Sequence, residues 1–123
     1  MDTATLVDEQ IVEGKSLVNQ LKERHFPVSA AFWVLTSDEG LWFLFIASPV
    51  VDEEGLAAAY RRVNTELSRC GVRGILRTDI KVVGVGDPIA IDAMKYRSNA
   101  QSTRYGGRKL GNLIVEEAYI YPD

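Results

Sequence analysis

Residues 28–51 read Val28-Ser-Ala-Ala-Phe-Trp-Val-Leu-Thr36, Ser37-Asp-Glu-Gly40 and Leu41-Trp-Phe-Leu-Phe-Ile-Ala-Ser-Pro-Val-Val51. Two apolar runs, rich in aromatic and β-branched residues, flank four turn-forming residues, which is the pattern of a β-hairpin. In the first run Ala30, Phe32 and Val34 alternate with Ala31, Trp33 and Leu35; in the second, Phe43 and Phe45 alternate with Trp42, Leu44 and Ile46. A strand that is apolar on both sides must be covered on both sides, by helices, strands or a partner chain. The hairpin therefore belongs at the centre of the fold. Two registers are open: pairing Ser37 with Gly40 sets Trp33 against Leu44, and a three-residue turn sets it against Phe45.

Before the hairpin, residues 5–25 predict an amphipathic helix. Val7, Ile11, Val18, Leu21 and His25 form its stripe, Gly14 lies on the same line, and Thr5 with Asp8 resembles a capping box. Phe26-Pro27 should stop it, because a residue before proline avoids helical angles. After the hairpin, Asp52 reads as the cap of a second helix. Val51 and Leu56 are its hydrophobic staple, and Leu56, Tyr60, Val63, Leu67 and Cys70 its buried stripe. Gly71 terminates it. A strand follows from Asp79 to Gly86, with Asp87 and Pro88 as cap and first position of a third helix reaching Arg97. Ser98 to Ser102 reads as a polar loop, and Thr103 to Asn112 as a glycine-punctuated stretch that forms a short or bulged strand plus turn. Leu113 to Tyr121 closes the chain as a strand with Leu113, Val115, Tyr119 and Tyr121 on one face. The expected fold is α+β: residues 1–123 as a single domain of two or three layers, a mixed sheet with helices packed on it. The element order is α-β-β-α-β-α-β-β.

Composition narrows the classes. A chain of 123 residues with 46% hydrophobic and 25% charged residues carries enough apolar side chains for one core. Asp38 and Glu39 split the longest apolar run, so no membrane span is read, and the amino terminus lacks a basic and then apolar leader. A cytoplasmic protein is expected. The single cysteine, Cys70, leaves no intramolecular disulfide and no multi-cysteine metal site, and no cofactor motif is recognised. The net charge of −3 is segregated: residues 1–60 carry three bases against ten acids, and residues 61–112 eleven bases against four acids.

The segments Phe26-Pro-Val-Ser-Ala-Ala-Phe-Trp33, Ala47-Ser-Pro-Val-Val-Asp-Glu-Glu-Gly55 and Val115-Glu-Glu-Ala-Tyr-Ile-Tyr121 resemble a family of small bacterial proteins without an assigned function. The resemblance spans most of the chain and implies no site residues.

Each candidate site competes with a plainer role. His25 is the one histidine and could act as a general base, or simply close a helix. Cys70, on a buried stripe, behaves as a small hydrophobe unless an electropositive pocket activates it. Gly84-Val85-Gly86 lacks the third glycine of a dinucleotide turn, and Asp87 sets a negative charge where phosphate would bind, so it reads as a tight strand-to-helix turn. Asp79-Ile80-Lys81 matches half of a metal-dependent nuclease pattern, with Asp52 or Asp92 as the missing carboxylate by assumption. Residues 95–109 hold Lys95, Arg97, Arg104, Arg108 and Lys109 without an acid, and Tyr105 among them could stack on a base.

The first reading is a non-enzymatic protein-interaction module, a homodimer or a binder of a protein partner, with Trp33 and Trp42 at the interface. The second is an anion- or nucleic-acid-binding protein using the basic 95–109 loop. A metal-dependent nuclease-like enzyme is the third.

Overall fold

The computed structural model describes residues 8–36, 40–97 and 103–122, with 103–108 described through the backbone. The Thr5–Asp8 capping box and the 98–102 loop lie outside the described residues. The elements are helix α1 (Asp8–Glu23), strands β1 (Ala30–Thr36) and β2 (Trp42–Ala47), helices α2 (Val50–Glu54) and α3 (Leu56–Cys70), strand β3 (Ile80–Val83), helix α4 (Pro88–Tyr96), and strands β4 (Thr103–Leu110) and β5 (Leu113–Ile120). They form one mixed five-stranded sheet in the order β3-β2-β1-β5-β4. β2 and β3 are parallel; the other neighbours are antiparallel. The class is the α+β one that the sequence predicts.

The hairpin takes the register that sets Trp33 against Leu44, and every residue of β1 and β2 is buried. Its two faces separate as their alternation dictates. Ala31, Trp33, Leu35, Trp42, Leu44 and Ile46 meet Leu17, Val18 and Leu21 of α1 and Ala59, Val63 and Leu67 of α3. Ala30, Phe32, Val34, Phe43, Phe45 and Ala47 meet Ile89, Ala90 and Ala93 of α4. The result is three layers, α1 and α3 over one face and α4 over the other. Phe32 and Phe45 stack with centroids 5.4 Å apart on the α4 side.

This closure corrects the interface reading of the tryptophans. Trp33 is fully buried and Trp42 is 7% exposed, both beneath the chain's own helices. The apolar surface of the two hairpin strands is consumed inside the chain, and neither indole is available to a partner.

Helix α1 ends at Glu23 rather than at 25, and its buried residues are Gly14, Leu17, Val18 and Leu21. His25 is exposed and left-handed at φ 63°. Its N–H donates to the Lys22 carbonyl at 3.2 Å, and Phe26 N–H donates to the Leu21 carbonyl at 2.9 Å. This is a Schellman closure, with Phe26 tucked into the core beside Leu21. His25 is therefore a helix-end residue.

Asp52 is not the cap of the second helix. α2 begins at Val50, whose N–H donates to the buried Ser48 hydroxyl at 3.1 Å. Gly55, at φ 93° and ψ 159°, then breaks the helix and starts α3. The break leaves Leu56 half exposed, so the proposed staple does not form. Gly71, left-handed at φ 69°, closes α3 as read.

Asp87 and Pro88 do start α4, with Asp87 Oδ1 accepting from Ile89 N–H at 3.1 Å. In β5 the shared face fails for Leu113, which is exposed, and for Val115. The register slips between Leu35↔Glu117 and Thr36↔Val115, leaving Glu116 as the extra residue. Val115 thereby joins the α4 side while Tyr119 and Tyr121 pack on the α1 side.

Candidate functional site

The basic 95–109 segment does not form one loop. Lys95 lies in the last turn of α4 with its ammonium 5.8 Å from the Tyr96 ring centroid. Arg97 follows the helix and donates to the Ser29 carbonyl. Arg104, Tyr105, Arg108 and Lys109 belong to β4, at one edge of the sheet. Arg104 is registered against Tyr119, and Arg108 against Val115. A strand spreads these residues along its length instead of curling them around one ligand. Charged residues on an outer strand also discourage edge-to-edge pairing.

The nuclease tripeptide is likewise spent on structure. Asp79 Oδ2 accepts from Leu76 N–H at 2.8 Å and caps a single helical turn. Lys81 lies over the Phe43 ring, 4.9 Å from its centroid. Asp92 Oδ2 accepts from Gly111 N–H at 2.7 Å, anchoring the β4–β5 turn to α4. Among the described residues, no three His, Cys, Asp or Glu side chains gather as a metal site.

A different basic surface assembles on the outer face of α3. Its inner stripe, Ala59, Val63, Glu66 and Leu67, turns toward the core. The helical period then carries Arg61, Thr65, Ser68 and Arg69 outward, and all four are exposed. One open groove of about 490 Å³ is lined by Arg61, Asn64, Thr65, Ser68, Arg69 and Arg77. A second, of about 300 Å³, is lined by Arg24, Phe26, Arg61, Arg62, Thr65 and Glu66. The grooves share Arg61 and Thr65, so they form one track along the helix. Five arginines line it: Arg24 from the end of α1, three from α3, and Arg77 from the turn before β3.

The charges of this track are incompletely balanced. Glu66 is its one lining carboxylate and is 8% exposed. It accepts from Gln20 Nε2 at 2.9 Å and pairs with Arg69 at 3.2 Å and, loosely, Arg24 at 3.8 Å. Arg62 pairs with Glu54 at 2.9 Å and lies over the Phe26 ring, 5.1 Å from its centroid. The guanidinium groups of Arg61 and Arg77 have no carboxylate partner among the described residues. A guanidinium is always protonated and presents a planar fork of donors suited to phosphate and carboxylate oxygens. Chemically this face can hold an extended anion.

A third groove, about 400 Å³, runs between α1 and β5, lined by Ile11, Val12, Lys15, Ser16, Tyr119, Tyr121 and Pro122. It is apolar, with Val12 64% exposed. Cys70 is half-buried near the end of α3, its thiol donating to the Leu67 carbonyl at 3.5 Å. No helix among the described residues is long and apolar enough to cross a membrane. No protein-family model, curated protein or solved structure matches the chain.

Proposed function

We propose that this protein is a binding module for polyanions and that the arginine face of α3 is its working surface. One observation carries the reading: two contiguous grooves bring five arginines from three separate segments onto one track with a single carboxylate. Gathering like charge is unfavourable unless a partner of opposite sign repays it. Every basic side chain on the track is arginine, whose fork geometry gives bidentate hydrogen bonds that lysine cannot make. The grooves are open and, apart from Phe26, lined by charged and polar side chains, unlike the enclosed apolar pockets that hold small substrates. The reading keeps the binding role suggested by the sequence and transfers it from the 95–109 segment and the tryptophans to α3.

The test is fluorescence anisotropy with labelled nucleic acid, and with polyphosphate as competitor, between about 50 and 200 mM salt. Wild-type protein binds at low salt, and binding weakens steeply as salt rises, because each phosphate contact releases counterions. The triple variant Arg61→Glu, Arg69→Glu, Arg77→Glu loses the binding while its circular dichroism is unchanged. A wild type that binds no polyanion at low salt, or a folded triple variant that binds as well, ends the proposal.

A further inference from the structure

We infer that the polyanion is duplex nucleic acid, held by its phosphate backbone across the arginine track; this deepens the polyanion reading and rests on it. Three features favour a duplex over other polyanions. The first is the fate of the one aromatic on the track. Phe26 is 1% exposed, and the Arg62 guanidinium covers its ring at 5.1 Å. Single-strand binders stack bases on open aromatic faces, and this track offers none for a base to use. What it presents is arginine, serine, threonine and asparagine, the donors that position proteins on phosphates without reading sequence.

The second feature is spacing. Arg61 and Arg69 lie eight residues apart on α3, which is about 12 Å along a helix rising 1.5 Å per residue. The major groove of a B-form duplex is about 12 Å wide. Arg61 and Arg69 can therefore reach phosphates on both strands bordering one groove, with Thr65 between them. Arg77 lines the same groove as Arg61 and Arg69 and adds a further contact along the backbone.

The third is the absence of an exposed aromatic anchor or an enclosed pocket among the groove-lining residues. Protein partners are gripped through a few hot-spot residues, chiefly tryptophan, tyrosine and arginine, packed into desolvated pockets within a ring of weaker contacts. Here the exposed side chains of the lining are all of charged or polar type, and Phe26 is already covered. An acidic protein surface would find arginines in open grooves, with neither an exposed aromatic nor an enclosed pocket beside them to exclude water.

The experiment compares probes on the full-length chain: a short labelled DNA duplex, an RNA duplex, the single strand of the same sequence, polyphosphate and polyglutamate. At least one duplex should bind about tenfold or more tightly than the single strand, and unrelated sequences of that duplex should compete within about threefold. Arg61→Gln and Arg69→Gln, both at exposed helix positions, should each make the logarithmic salt dependence shallower by about one contact. Single strand binding as tightly as the better-bound duplex overturns the inference, as does polyglutamate displacing that duplex as well as polyphosphate does. Either result leaves the polyanion reading standing. Failure of every probe to bind removes both.

Discussion

At the scale of one residue, Tyr121 shows how a polar group is accommodated in the core. Its ring is 4% exposed, its hydroxyl accepts from Trp33 Nε1 at 3.0 Å, and it donates to the Ile11 carbonyl at 2.6 Å. A buried phenol needs such partners, and these two tie the end of β5 to β1 and to α1. Burial pushes the phenol well above its ordinary 10.0; the Trp33 N–H pulls it back in part, and Tyr119 nearby adds to the rise. The sign follows. A group raised in the folded state favours folding while neutral, so its contribution is complete below pH 10 and is lost as pH rises toward the folded value. Wild-type stability should therefore decline above pH 10. Tyr121→Phe should cost about 1–3 kcal/mol at neutral pH, since the Trp33 and Ile11 groups lose their partner, and should flatten that decline. Urea midpoints of both proteins across the alkaline range decide it: parallel declines would show that this phenol is not the group responsible.

Among the elements, α1 gives the sharper contest of magnitudes. Alanine in place of a helix-interior glycine ordinarily stabilises by about 1 kcal/mol. Gly14 is different, because a Cβ there would overlap the Tyr121 hydroxyl and lie 3.0 Å from Trp33 Nε1. Neither group can move away without breaking the hydrogen bonds just described. Overpacking of this kind typically costs about 1–3 kcal/mol, so Gly14→Ala should destabilise on balance. A denaturation midpoint above wild type would mean that α1 does not sit so close to the sheet. The sequence showed Gly14 on the apolar stripe of this helix, and it showed both faces of the hairpin residue by residue, because alternation with period two needs no tertiary knowledge. Helix ends were harder to read. Asp52 has good capping chemistry, but Ser48 is buried at the strand end and Gly55 takes angles that divide the helix. Competing local signals of about 1 kcal/mol each are settled by the packing around them. The bulge at Glu116 was not legible at all, since it depends on how β5 is registered against Thr36.

Across the whole molecule, the charge segregation was legible but its location was not. An acid-free window drew attention to residues 95–109, whereas the compact cluster unites Arg24, Arg61 and Arg77 across more than fifty positions. One signal was present: from residue 61 to 77 there are five arginines, one glutamate and no lysine, with Arg61, Thr65 and Arg69 four apart. Sequence spacing could put those three on one helix face, but only the fold brings Arg24 and Arg77 beside them. The fold also defines the opposing charge. Glu66 is buried beside the track and holds Arg69 at 3.2 Å, so it restrains the same groups that an incoming polyanion would use. Glu66→Gln preserves shape and can still bond to Gln20, but it removes the carboxylate. The arginines it pairs are about half exposed, at 54% and 51%, and such pairs contribute at most about 1 kcal/mol each. The variant should remain folded with a small loss of stability. Its affinity for polyphosphate and duplex should rise several-fold, and the effect should shrink at high salt as screening shortens the reach of the missing charge. Calorimetric titration of both proteins with one probe at two salt concentrations measures this directly. A folded Glu66→Gln protein with unchanged or weaker affinity would place the binding surface elsewhere, since removing the track's own negative charge could not then be neutral or harmful to an anion bound on it.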